Sequence, residues 1–179
     1  MIINEMKKII ITSHNNDLDK DKMTSKYKDI YDSKIELYTR NNELLFKSDY
    51  FNVDSSNKYL ENQGENNRKI EIKNGKYFGI CGKMKSGIIG IMLFRYNPKI
   101  AFQITNIKQI FNKYYNELYL PTTNPNPLHD NKHQAVGIWI HAGGGNYDWS
   151  AGCLTLYADL YDLFIKNFYL NEIVEIEKI

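Results

Sequence analysis

A chain of 179 residues, 42% of them hydrophobic, is long enough to bury one substantial core, so one domain with a tail is the expectation. Its 23 basic and 21 acidic side chains leave a formal charge of +2, and no Lys/Arg cluster is dense enough to mark a nucleic-acid partner. Two widely separated cysteines, Cys81 and Cys153, match neither a zinc site nor a disulfide scaffold, which leaves at least one as a free thiol.

At the start, Met1 to Thr12 carries two lysines and then only Ile9, Ile10 and Ile11. That run is too short for a signal-peptide core. No stretch approaches the roughly 20 apolar residues of a transmembrane segment, so the chain reads as soluble, with no visible general secretory signal. From Thr12 to Ser33 the sequence is dominated by Asn, Asp, Lys and Ser, too polar to order itself by burial. Residues 1–33 are therefore expected to be a polar N-terminal tail or linker, and 34–179 the folded domain.

Short β-like runs follow at Ile35 to Thr39, Leu44 to Phe51, Lys76 to Cys81, Ile88 to Arg95 and Ile100 to Thr105, separated by Asn- and Gly-containing turns. Between Asn106 and Leu118, Ile107, Ile110, Phe111, Tyr114, Tyr115 and Leu118 recur at three- and four-residue steps. This spacing predicts an amphipathic helix capped by Thr105 or Asn106. Pro121, Pro125 and Pro127 then predict a loop, and potentially a lid, from Pro121 to His133. Val136 to Ile140 is a compact apolar strand leading into Gly143, Gly144 and Gly145. A second helical stripe is predicted from Cys153 to Phe168, and Ile173 to Ile176 reads as a closing strand. The fold class expected is α+β, β-rich with two main helices.

The window from Ile138 to Leu154 carries the chemistry. A thiol becomes a strong nucleophile when an imidazole, a helix N-terminus, or both favour its deprotonation. Cys153 falls at the expected start of the last helix, where the unpaired N–H groups and the macrodipole favour a thiolate. His141 ends a strand twelve positions earlier, and the glycines beginning at Gly143 ease the chain's return toward the sulfur. Ala151 and Gly152 leave room for a substrate carbonyl, and the Cys153 N–H with its neighbours could hold an oxyanion. Asn146, Tyr147, Asp148 and Trp149 either line a cleft or pack the loop. Asp148 is one candidate to orient His141 or to bind a cationic amine, and the sequence does not identify the orienting group.

These residues resemble the L,D-transpeptidase (YkuD-like) catalytic domains, whose signature is a strand ending in Ile-His, a variable loop, and Ser/Thr-His-Gly-Cys before an apolar residue. Ile140-His141 and Ser150-Ala151-Gly152-Cys153-Leu154 fit that pattern, with Ala151 in place of the usual histidine and a shorter loop. The short form is similar to divergent members associated with phages and interbacterial toxins, and histidine before cysteine is opposite to the order in papain-like peptidases. The resemblance covers roughly the last third of the chain. It implies a cysteine acyl-enzyme on peptidoglycan stem peptides, formed with loss of D-alanine and resolved by an amine (transpeptidase) or water (carboxypeptidase), at the cell wall or in the periplasm. His141 carries over as base and later acid, Cys153 as nucleophile, and Ser150 and Gly152 as site-shaping positions. It implies no cofactor, and an antibacterial effector role is among the settings it allows.

Blander readings stand beside these. A lone cysteine is more often inert and buried than nucleophilic, which is the reading taken for Cys81 on its strand. A lone strand-end histidine is more often structural, so Cys153 and His141 stand or fall together. His129 and His133 have the spacing of a helical metal pair, but the nearby prolines place them in a loop, and no metal is expected. A thiol amidase or peptidase on another acyl substrate is a neighbouring alternative. A non-catalytic cell-wall or phage-related binding module is an alternative of another class, kept open by Ala151.

Overall fold

A computed structural model describes residues 5–14, 31–54, 70–143 and 152–179. Its centre is an eight-stranded closed barrel ordered β1-β10-β4-β5-β8-β9-β3-β2. The strands are β1 (Lys8–Thr12), β2 (Ser33–Tyr38), β3 (Leu44–Asn52), β4 (Gly75–Lys83), β5 (Ile89–Arg95), β8 (Trp139–Ala142), β9 (Leu154–Leu156) and β10 (Ile173–Lys178). Pairing of β1 with β2, from Lys8 opposite Tyr38 to Thr12 opposite Lys34, closes the ring. Most neighbours are antiparallel; β1 with β10 and β8 with β9 are parallel.

Alternation along each strand separates two cores. In β1 and β2 every second residue is buried, so Ile9, Ile11, Ile35 and Leu37 join Ile140 and Leu154 inside the barrel. The opposite face of β4, β5 and β8 carries Phe78, Ile80, Met92, Phe94 and Trp139. Helices α1 (Pro98–Gln103) and α2 (Ile107–Lys113) cover that face, seating Ala101 and Ile110 against it. A third helix, α3 (Ala158–Ile165), packs Tyr161 and Phe164 on the barrel core. The Phe164 ring lies 5.5 Å from Phe46, and the Tyr161 hydroxyl donates to the Ile89 carbonyl.

The β-rich α+β expectation holds, and several elements differ from their predicted form. Lys8–Thr12, placed by the sequence in a polar tail, is a barrel strand, because Ile9 and Ile11 bury completely between β2 and β10; residues 15–30 of that expected tail lie outside the described residues. Ile100 to Thr105, predicted as a strand, belongs mostly to α1. Pro98 sits at the first helical turn, where its missing N–H costs nothing, and the Ala101 N–H closes onto the Asn97 carbonyl at 3.0 Å. The predicted helix at Asn106 to Leu118 divides into α2 and a 3-10 turn at Tyr115–Leu118. Its predicted cap is present, with the Asn106 side chain accepting from the Gln109 N–H.

The proline-rich segment is a two-stranded ribbon of β6 (Leu120–Asn126) and β7 (Lys132–Ala135) rather than a loop. The outer edge of β6 meets residues 71–73, the Lys73 N–H donating to the Pro121 carbonyl and the Thr123 N–H to the Glu71 carbonyl, and Pro125 falls where the register slips between Pro121 and Asn126, a place that tolerates a residue without an N–H.

A polar cluster holds the far end of β10. Lys178 is 1% exposed, and its Nζ donates to Glu71 Oε1 at 2.7 Å and to Asn74 Oδ1 at 2.8 Å. His14 joins the same carboxylate, with Nε2 3.0 Å from Glu71 Oε2 and Nδ1 2.6 Å from Asp32 Oδ2. Among the described residues, no helix is long and apolar enough to cross a membrane.

Candidate active site

The parallel pair β8–β9 positions both expected catalytic residues. Ile140 lies opposite Leu154, and His141 opposite Thr155. Since Ile140 and Leu154 point into the barrel, alternation turns Trp139 and His141 to the outer face, together with Thr155 and the preceding Cys153. Cys153 indeed packs against the outer cluster that contains Trp139. Strand spacing and rise put His141 and Cys153 diagonally across the two strands, roughly 8 Å apart at Cα.

The His141 imidazole is held by its own backbone. Its Nδ1 lies 2.8 Å from the Ala142 carbonyl oxygen, which can only accept, so Nδ1 carries the proton and Nε2 keeps its lone pair. Burial pushes the imidazole below its ordinary pKa, outweighing the opposing effect of this hydrogen bond, so the neutral form dominates at neutral pH. Among the described residues, the partner of the His141 ring is thus a backbone carbonyl, supplied by the residue that follows the histidine.

Cys153 does not begin a helix. It precedes the strand Leu154–Leu156, and α3 begins only at Ala158, so the expected help from a helix N-terminus is absent. Backbone groups surround the sulfur. The Trp139 N–H donates to the half-buried Cys153 Sγ at 3.4 Å, and the thiol in turn faces the Gly137 carbonyl at 3.8 Å. The residue before it must be glycine: Gly152 has φ +116°, and a Cβ there would come 2.9 Å from Ile70 Cγ2. The glycine of the Ser-x-Gly-Cys motif is therefore a backbone requirement of the turn that delivers the thiol.

Beside the sulfur lies a cleft of about 510 Å³. Met84, Phe111 and Trp139 give it apolar walls, and Gly137 and Cys153 border them. Lys83 and Lys85, both exposed, form its charged margin. Gly90 on β5 lets β8 and the Trp139 ring pack closely against that strand, because a Cβ there would meet the Ile140 carbonyl oxygen at 2.9 Å and the Trp139 ring at 3.1 Å.

Gly143 donates its N–H to the Leu156 carbonyl at 2.7 Å, which ties the start of the glycine run to β9, and the Tyr31 hydroxyl fills the space its side chain would need. Ser150, Asn146 and Asp148, with Ala151, Tyr147 and Trp149, lie outside the described residues. Cys81 is 1% exposed, and burial raises its thiol pKa to about 11, as suits a structural residue. His129 ends a 3-10 turn and His133 lies on β7, so no helical ligand pair forms. Among the described residues, His14, Asp54 and Glu71 bring potential ligand atoms within 4.8 Å of one another, but His14 and Glu71 already engage each other, and Glu71 holds Lys178.

The sequence left Trp139 in a featureless strand, although its two-residue spacing from His141 marks the shared face. Met84, Lys83, Lys85 and Phe111 gave no local signal, since the tertiary packing of β4, β5 and α2 alone brings them to Cys153. Compared with protein-family models, curated proteins and solved structures, the chain gives no match.

Proposed function

We propose that the chain is a cysteine-dependent enzyme of the L,D-transpeptidase type, acting on peptidoglycan stem peptides at the cell wall or in the periplasm as a transpeptidase or carboxypeptidase. The observation that carries this reading is the β8–β9 register, which turns His141 and Cys153 to one face, with Cys153 bordering an open cleft and the His141 lone pair on Nε2. The substrate class comes from the resemblance of Ile140-His141 and Ser150 to Leu154 to that family's signature.

In this mechanism Nε2 of His141 takes the Cys153 proton, and the sulfur attacks the carbonyl of the L-centred third residue of the stem. The tetrahedral oxyanion collapses as the bond to D-alanine breaks, and His141 returns its proton to the leaving amine. A second amine, or water, then attacks the thioester, giving up a proton to His141 and releasing the thiol. The amine leaves a cross-link and the water a shortened stem.

The test is incubation of the protein and of Cys153→Ala with muropeptides carrying tetrapeptide stems, followed by mass spectrometry. Loss of D-alanine or formation of dimers with intact Cys153 alone is the expected result. Unchanged stems with both proteins would replace this reading with that of a binding module.

A further inference from the structure

The cleft beside Cys153 has a charge pattern that the proposed reaction does not by itself require. Lys83 ends β4 and Lys85 lies in the turn to β5. Both border the cleft, and among the described residues no acidic side chain lines it. Neither lysine is held in an ion pair among the described residues, in contrast to Lys7, Lys8, Lys34 and Lys178, which are paired with Glu172, Glu177, Glu36 and Glu71. The same cleft is lined by the apolar side chains of Met84, Phe111 and Trp139. Low-dielectric walls of this kind concentrate the field of charges at a cleft mouth instead of letting water screen it.

We infer that Lys83 and Lys85 make the Cys153 cleft selective for acyl substrates that carry a carboxylate close to the scissile carbonyl. An anionic group drawn to the two ammoniums leaves the adjoining apolar part of the substrate against Trp139, Phe111 and Met84 and its carbonyl toward the sulfur. A neutral or cationic substrate of the same shape loses that attraction. The inference deepens the proposed function and rests on Cys153 being the residue that meets the substrate. It names the substrate as a carboxylate-bearing peptide and the two lysines as its specificity determinants.

Thiol labelling tests this independently of turnover. In a Cys81→Ala background, the rate of Cys153 modification is measured with dithiobis(nitrobenzoate), a dianion, and with neutral dithiodipyridine at one pH. The ratio of the two rates reports the local field and cancels changes in the thiol itself. Replacing both lysines, Lys83→Glu with Lys85→Glu, is expected to lower that ratio by about tenfold or more, the scale of electrostatic steering at a charged cleft. Added salt should lower the ratio for the lysine-bearing protein and raise it for the double variant. Lys83→Gln with Lys85→Gln should fall between the two, and circular dichroism verifies that each variant is folded.

A ratio that stays within twofold across the folded variants would overturn the inference. Muropeptide turnover with an unmoved ratio would do so while leaving the proposed function intact. A shifted ratio without turnover would support the anion-selective cleft and remove the catalytic reading.

Discussion

The backbone N–H of Trp139 points at the sulfur of Cys153 from 3.4 Å, a donor fixed by the strand that also carries His141. Cys81 has no comparable access, being 1% exposed inside the barrel with its thiol pKa raised to about 11 by burial. The two thiols should therefore separate by reactivity. Alkylation of the native protein near neutral pH should modify Cys153 alone, and unfolding in denaturant should release the second. Peptide mass mapping reads both, and fast native labelling of Cys81 would contradict the barrel packing.

In the proposed mechanism, the state of His141 sets the acid side of the activity profile. Burial holds its pKa below the ordinary 6.5, and a base works only when unprotonated, so activity is retained above that pKa and lost as pH falls through it. The acid limb of kcat/KM should have its midpoint below pH 6.5. His141→Gln should reduce turnover by about 10²–10⁴-fold and remove that limb. Steady-state kinetics on tetrapeptide stems across pH 4 to 8 would show an acid midpoint above 6.5 if the imidazole were instead stabilised as a cation.

Gly152→Ala should destabilise the fold and displace the thiol together. A left-handed φ costs a non-glycine residue about 1–3 kcal/mol, to which the contact with Ile70 adds. Thermal denaturation should show the lowered stability, and the labelling rate of Cys153 should change by a larger factor than for a substitution of equal cost in the barrel core.

Removing Glu71 leaves an ammonium buried without its carboxylate. Since Lys178 is 1% exposed and only Asn74 remains beside it, Glu71→Ala should cost roughly 3–5 kcal/mol in chemical denaturation. Glu71→Gln keeps an acceptor and should recover part of that loss.

His14 gives the same cluster a pH dependence. Partial burial disfavours its charged form, but hydrogen bonds to Asp32 and Glu71 prevail and raise its pKa above 6.5. The folded state then binds the proton more tightly than the unfolded chain, so the stabilisation is complete below about pH 6.5 and disappears as pH rises through the higher folded value. Urea midpoints measured across that window should fall with rising pH, and His14→Gln should flatten the slope.

A strand with a two-residue alternation was legible in the sequence, as at Ile35 and Leu37, because burial on one face of a sheet writes that pattern directly, while Leu44 to Phe51 and Ile173 to Ile176 showed through their apolar and aromatic content. The Asn106 cap was legible too. The last helix was misplaced because Leu156 and Leu160 are four residues apart, a helical step, although Leu156 ends β9 and Leu160 lies in α3. Pro98 was the overlooked signal for α1. In the candidate site, His141 and Cys153 stood out through residue type and motif, whereas Lys83, Met84, Lys85 and Phe111 of the cleft come from segments far earlier in the chain and meet the cysteine only through the ladder of β4, β5 and β8 and the helix above them.

The parallel pairing of β1 with β10 sets the order in which this molecule can assemble. Lys8 lies beside Glu175 and Ile11 beside Lys178, so one seam joins residues separated by almost the whole described length. As the chain emerges from the ribosome, β1 can find β2 early, but its other edge has no partner until residues 173–178 are released. The barrel therefore shuts last along that seam, after the longest loop closure in the fold has been made. Until then Ile9 and Ile11 depend on transient cover, which makes a nascent chain stalled before residue 173 the species most prone to sticking and most in need of a chaperone.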